Sequence, residues 1–216
     1  MDTVAVLLEA PERLSLSRLA LSPAGEEDVV VDVEWSGIST GTERLLYSGR
    51  MPTFPGMGYP LVPGYESVGR VVRAGSRAAR QEGERVFVPG ARCFGPVRGL
   101  FGGAARRLVV PGARAVPIDE SLGESGVLMA LAATAQHAIG TATPELIVGH
   151  GVLGRLVARL VLAAGAPAPT VWETNLDRRD GAQGYSVLDP EADPRRGSRL
   201  ILDFSGAFAV LVSTVA

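Results

Sequence analysis

From position 1 to about 120 the apolar residues come in short runs, alternating or continuous, each cut off by Gly or Pro. TVAVLLEA, DVVVDVEWSGI, SVGRVVRAG, ERVFVPGARCF and ARRLVVPGARAVPI are Val-rich and separated by turn residues. That pattern predicts the strands of an all-β sandwich or barrel. Near Ser121 the period changes. SLGESGVLMALAATAQHAIG has a start signal in Ser121 and Glu124, apolar spacing suited to a helix, and Gly140 as its stop. PELIVG then reads as a buried parallel strand and HGVLGRLVARLVLAAG as a helix ending at Gly165. PTVWET, GYSVLD and SRLILDFSG read as three further strands. Strands alternating with helices imply βαβ units on a parallel sheet. The expected fold is therefore a β-rich domain, residues 1–122, followed by a partial doubly wound α/β domain, residues 123–216. No internal repeat or low-complexity tract interrupts the chain.

Composition narrows the chemistry. All 21 basic residues are Arg. Without Lys there is no Schiff-base amine, no Walker-type phosphate lysine and no Tyr-x-x-x-Lys pair. Cys93 is the one cysteine, which excludes an internal disulfide and a Cys-rich structural zinc loop. The net charge of −2 gives no electrostatic case for nucleic acid or an anionic membrane. The N-terminus reads as a strand, not a signal peptide, and Arg155 and Arg159 interrupt the longest apolar stretch. A soluble, cytoplasmic protein is the expectation.

The sharpest motif is Gly149-His150-Gly151-Val152-Leu153-Gly154, a G-x-G-x-x-G between a predicted strand and a predicted helix. The first glycine allows the tight turn, the second lets backbone approach a pyrophosphate, and the third allows close helix–strand packing. The helix N-terminus offers free N–H groups to phosphates. Glu173 ends the next strand about 20 residues on, where a carboxylate would accept ribose hydroxyls and repel a 2′-phosphate. The expected cofactor is NAD. His150 reads as a loop residue, because a backbone-built phosphate site asks nothing of its side chain.

EWSGIST, PGYESVGRV, GERVFV and TAQHAIG occur in the order found in the medium-chain dehydrogenase/reductase superfamily, which the chain resembles along its whole length. The segments SGISTGTERLLYSGRMPTFPGMGYPLVPGYE, ELIVGHGVLGRL, VWETN and VLDPEADPRR are similar to the branch that works in bacteriochlorophyll biosynthesis. The resemblance implies a GroES-like catalytic domain followed by a Rossmann domain. It also implies oxidation of a secondary alcohol on a tetrapyrrole by NAD. In that superfamily zinc ligands would fall at Ser39, Tyr65 and near Ala130. None of these is a thiolate, imidazole or carboxylate, so the expectation is a site with no metal. Tyr65, Ser39, Thr42 and Glu66 are then the candidate catalytic groups, acting by orientation and proton relay. Thr134 is a candidate nicotinamide contact. Asp203 and Gly206, at the end of the last strand, are candidates for approaching the cofactor, and His137 reads as a helix-face residue.

The loop YSGRMPTFPGMGYP offers Tyr47, Met51, Phe54, Met57 and Tyr59 for a flat apolar ligand, with Arg50, Arg98, Arg106 or Arg107 for its carboxylate. Four strands are read where a full doubly wound domain has six. The sequence thus reads as stopping short by about 60 residues, at about 30 per βαβ unit. A homodimer is the expectation for a longer form. Two other readings stay open: a zinc-free quinone or enoyl reductase, and an inactive remnant that binds NAD at most.

Overall fold

A computed structural model describes residues 1–194 and 197–206. The chain divides into two compact units, Met1–Ala130 and Leu131–Ala216. The apolar tail after Gly206 and the Arg195-Arg196 pair lie outside the described residues.

The first unit is built from two sheets. One has the order β2-β1-β4-β7, from β1 (Asp2–Ala10), β2 (Arg13–Ala20), β4 (Leu61–Val62) and β7 (Arg98–Gly99). The other has the order β8-β3-β5-β6-β9, from β3 (Asp28–Ser36), β5 (Ser67–Ala74), β6 (Arg85–Val88), β8 (Arg107–Pro111) and β9 (Val116–Pro117). In the second sheet β3 lies between β8 and β5, antiparallel to both, so that Val31 faces Val71 and Val30 faces Val109. These valines are buried on both faces, which is why β3 reads as a continuous apolar run. The core joins them to Val62, Val86, Val88, Cys93, Phe94 and Leu108.

Two elements here are absent from the sequence reading. β2 alternates Leu-Ser-Leu-Ser, but its leucines Leu14 and Leu16 point outward and are exposed. A short helix, α1 (Thr40–Tyr47), occupies part of a stretch that carries no helical signal. It is anchored by buried Leu46, which packs with Leu8, Leu61 and Leu100. Met51, Met57 and Tyr59 pack onto the same cluster. The loop after α1 therefore turns much of its apolar content inward, and the exposed aromatics are Tyr47, at the end of α1, and Phe54 in the loop.

The predicted helix at Ser121 also begins later. Residues Glu120–Leu128 form a 3-10 stretch broken at Gly123, whose φ of +52° is left-handed, and α2 spans Met129–Ile139. The Asp119 side chain accepts the Ser121 N–H at 2.8 Å. Glu120 bridges to Arg70 and Arg85, which tethers the stretch to β5 and β6.

The second unit is a parallel sheet in the order β12-β11-β10-β13, from β10 (Leu146–Val148), β11 (Thr170–Trp172), β12 (Ser186–Leu188) and β13 (Ile201–Asp203). In chain order this is 3-2-1-4, the order of a Rossmann sheet. α3 (Val152–Ala163) buries Val157, Ala158 and Val161 against Ile147 and Val171. It ends at Gly165, with φ +73°, as its sequence predicts.

Candidate functional site

The first unit gathers three of the four candidate catalytic residues. Ser39 stands at the N-cap position of α1, yet its hydroxyl makes no capping bond. It accepts instead from the Tyr65 hydroxyl. Thr42, in the first turn of α1, lies 3.2 Å from the same Tyr65 oxygen. Because Tyr65 has one proton and gives it to Ser39, Thr42 donates to Tyr65. The Tyr65 ring is held edge-on by Phe101, with centroids 5.3 Å apart. The result is a directed chain of hydroxyls, Thr42 to Tyr65 to Ser39.

Glu66, the fourth candidate, belongs to a different cluster. It is buried, and its Oε1 has no hydrogen-bond partner. Gly37 makes room for it, since a Cβ at Gly37 would collide with the Glu66 carboxylate. Its neighbour in charge is Glu43 on α1, a residue that the sequence reading lacks. Glu43 also has a buried oxygen without a partner, and it is the one acid lining an apolar cleft of about 780 Å³ between β1, β2 and α1. Burial first, and the Glu66 carboxylate second, push Glu43 up to about 7. Burial likewise raises Glu66.

This pair makes stability depend on pH in a definite direction. The ordinary value for Glu43 is 4.5, so between that pH and about 7 the folded chain holds a proton that the unfolded chain has lost. Stability therefore falls as pH rises through that window, and the full cost remains above it. Glu43→Gln is expected to raise stability at pH 8 by about 1–2 kcal/mol, allowing for solvent screening of a part-exposed side chain, and to leave it unchanged at pH 4. Urea unfolding at the two pH values checks this; equal gains at both would show that charge on the pair is not the cause.

Two of the four arginines considered for a substrate carboxylate already have partners. Arg107 forms a fork on Asp32, with one arm at 2.7 Å, and Arg98 donates to the Tyr59 carbonyl at 3.2 Å. Arg106 lines the apolar cleft, as does Arg44. Arg50 is exposed.

The second unit carries the glycine loop in the predicted place, between β10 and α3. Gly149 has φ +98°, and a Cβ there would press on the backbone of Phe204 and Ser205. Gly154 lies against the Gly149 carbonyl with no space for a side chain. Nothing lies within 4 Å of where a Gly151 Cβ would be, so the backbone is open there to a ligand. Val152 and Leu153 form the first turn of α3, with Val152 exposed. This cradle fits a dinucleotide pyrophosphate.

Glu173 follows β11 as expected but is not idle. One oxygen accepts the His150 N–H and the other the Asn175 N–H, both at 2.9 Å. Burial alone would raise its pKa, but these two amides and nearby Arg178 hold it below the usual range. An ionised carboxylate has about four acceptor sites, so two amides leave capacity for ribose hydroxyls. Thr134 is exposed on α2, one residue before buried Ala135, and His137 lies in the last turn of that helix. The Asp203 carboxylate accepts the Ser205 N–H at 2.7 Å and so shapes the turn that carries Gly206. Among the described residues no group of three or more His, Cys, Asp or Glu is placed to hold a metal ion, and no helix is long and apolar enough to cross a membrane.

Residues 25–120 match the alcohol dehydrogenase GroES-like domain. Over 211 residues the chain is 56% identical to the 2-desacetyl-2-hydroxyethyl bacteriochlorophyllide A dehydrogenase of Rhodobacter capsulatus, covering 96% of this chain and 67% of that one. The chain belongs to the GroES-like, medium-chain alcohol dehydrogenase family. Solved structures agree across both units. A protein from Sinorhizobium meliloti 1021 described as a zinc-binding dehydrogenase, bound to NADP, superposes with a TM-score of 0.78 at 25% identity. That match covers 98% of this chain and 72% of the other. An alcohol dehydrogenase from E. coli CFT073 in complex with NADH gives 0.81 at 21% identity, over 99% and 72%, a likeness of fold. These two structures hold NADP and NADH respectively, so likeness of fold does not choose between the cofactors.

Proposed function

We propose that the protein uses NAD, without zinc, to oxidise the 3-(1-hydroxyethyl) group of a bacteriochlorophyllide to acetyl. The observation that carries this reading is the Thr42–Tyr65–Ser39 chain of hydroxyls, in which Ser39 and Tyr65 stand at positions where the resemblance places zinc ligands. Hydroxyls and the Ala130 methyl do not fit zinc, so no step is routed through a metal. Similarity to the Rhodobacter capsulatus enzyme supports the substrate, and Glu173 supports NAD over NADP.

When bound, NAD+ accepts the hydride. The residues of the chain manage the proton and the alcohol. Ser39 accepts from Tyr65 and keeps its own proton, with which it can hydrogen-bond the substrate oxygen. For the oxidation the three hydroxyls turn first, so that the alcohol donates to Ser39, Ser39 to Tyr65 and Tyr65 to Thr42. As the hydride leaves carbon each hydroxyl passes one proton on, Thr42 releases one to solvent, and the Thr42-to-Tyr65-to-Ser39 direction is restored. One alcohol loses a hydride and a proton and becomes one ketone. Positive charge developing on the carbon is shared with the conjugated macrocycle attached to it, which reduces the need for a Lewis acid.

The assay uses both the 216-residue chain and the longest reading frame that contains it. With the hydroxyethyl bacteriochlorophyllide and NAD+, the expected products are the acetyl compound, two hydrogens lighter, and NADH. Turnover should persist in excess chelator and slow when deuterium replaces hydrogen on the carbinol carbon. Inactivation by chelator with recovery on adding zinc would overturn the metal-free reading. Failure of both forms to turn over the tetrapyrrole would overturn the substrate.

A further inference from the structure

His150 reads in the sequence as a passive loop residue, but its surroundings are built around it. It is fully buried, between two glycines of the dinucleotide loop. Its Nδ1 lies 2.6 Å from the Arg178 carbonyl. A carbonyl only accepts, so Nδ1 carries the proton and Nε2 is left as an acceptor. Buried Tyr185 fills that role, its hydroxyl donating to Nε2 at 2.7 Å. The two rings meet edge to face, with centroids 5.5 Å apart.

The backbone of the same residue is equally engaged. Its N–H donates to Glu173, and its carbonyl accepts from Arg155 Nε at 3.0 Å. Arg155 reaches on to the Arg178 carbonyl at 2.9 Å. At the other side, Arg179 Nε donates to the Glu173 carbonyl at 2.7 Å. One loop residue therefore grips both ends of the segment 173–178. A side chain that only filled space would not need a polar ring, since a buried imidazole without partners is costly. Here both ring nitrogens are satisfied, and one of the partners is a backbone atom of the segment that follows Glu173.

Resting on the dinucleotide reading above, we propose that His150 is a positioning residue. Its ring clamps the 173–178 segment and so aims the Glu173 carboxylate at the adenosine ribose and against a 2′-phosphate. The clamp links the pyrophosphate loop to the specificity acid, so an alteration at one is felt at the other.

The test compares three variants of the full chain. His150→Ala removes both ring bonds. His150→Asn keeps a donor close to where Nδ1 stands and drops the Nε2 contact. Tyr185→Phe removes the Nε2 partner alone. NADH and NADPH are titrated calorimetrically, and amide exchange at Asn175 is followed without cofactor. His150→Ala is expected to weaken NADH binding by about tenfold or more, the size of one buried hydrogen bond to the segment. It should also narrow the preference for NADH over NADPH and speed exchange at Asn175. His150→Asn should restore binding to within about threefold of the parent, with Tyr185→Phe between the two.

Three results would overturn the proposal. The first is that all the variants bind like the parent. The second is that Ala and Asn lose affinity equally and in step with their melting temperatures, which is the behaviour of a packing residue. The third is that the parent binds neither nucleotide, in which case the cofactor reading falls too. Amide exchange separates that last case, because it reports the clamp without any ligand.

Discussion

Tyr65→Phe is expected to lower kcat by about 10²–10³-fold while leaving KM within a small factor, the range for removing a positioned proton-transfer group. Tyr65 is the middle hydroxyl of three, donating to Ser39 and facing Thr42 at 3.2 Å. Without it Ser39 has no route along which to pass a proton, and the first turn of α1 loses its link to Tyr65. The ring itself is retained, so its edge-on contact with Phe101 should hold the loop in place. The stability cost should be about 1–2 kcal/mol, for the two hydrogen bonds the hydroxyl makes. Steady-state kinetics on the hydroxyethyl substrate, with a solvent isotope effect, check this. The parent should show a solvent effect that the variant lacks. A fall of less than about threefold would make Tyr65 a packed aromatic, and the proton would have to leave directly to water. Ser39→Ala should behave like Tyr65→Phe, and Thr42→Val should cost less, because water can replace the outermost member of the chain.

The parts of this site that were legible in the sequence are those written in local pattern. β3, β5 and β8 announce themselves as valine runs, and the glycine loop with Glu173 appears in order along the chain. Ser39 and Tyr65 are visible only through resemblance, because nothing in STGTER or PGYES says that the two hydroxyls meet. α1 is hidden by Gly41, two threonines and the absence of a side-chain cap, and it is held by Leu46 packing on residues from β1 and β4. The start signal at Ser121 misleads because Gly123 adopts left-handed backbone and Glu120 is drawn to Arg70 and Arg85. Glu43 is unreadable as a titrating group, since its raised pKa depends on burial and on Glu66, which belongs to another part of the chain. The same holds for His150, whose meaning depends on Tyr185 and Arg178 arriving from beyond β11. Local signals set the elements; the charges and protons depend on which elements the fold brings together.

The glycine loop allows stability and binding to be pulled apart by a single methyl group. At Gly154 a Cβ would collide with the Gly149 carbonyl and sit 3.5 Å from Ile147. The first turn of α3 would have to lift from β10, against a core that includes Val157 and Ile147. Gly154→Ala is therefore expected to destabilise the chain by about 3 kcal/mol or more, overpacking against backbone that cannot turn aside. At Gly151 the backbone is ordinary extended chain, with φ −74° and ψ −171°, and a methyl would meet nothing within 4 Å. Gly151→Ala should leave stability within about 0.5 kcal/mol, as for substitutions that touch no buried feature. Yet that open space is where the proposed pyrophosphate approaches, so NADH affinity should fall by about 10²-fold. Thermal unfolding without cofactor and NADH titration of both variants measure the two effects separately. If Gly151→Ala bound NADH as tightly as the parent, the pyrophosphate would not lie over this loop, and a correct fold would then be serving some other ligand. If Gly154→Ala melted like the parent, the close packing of α3 on the loop would not hold in solution. The expected pattern, one variant unstable and the other stable but weak in binding, is what distinguishes a working dinucleotide cradle from a glycine-rich turn.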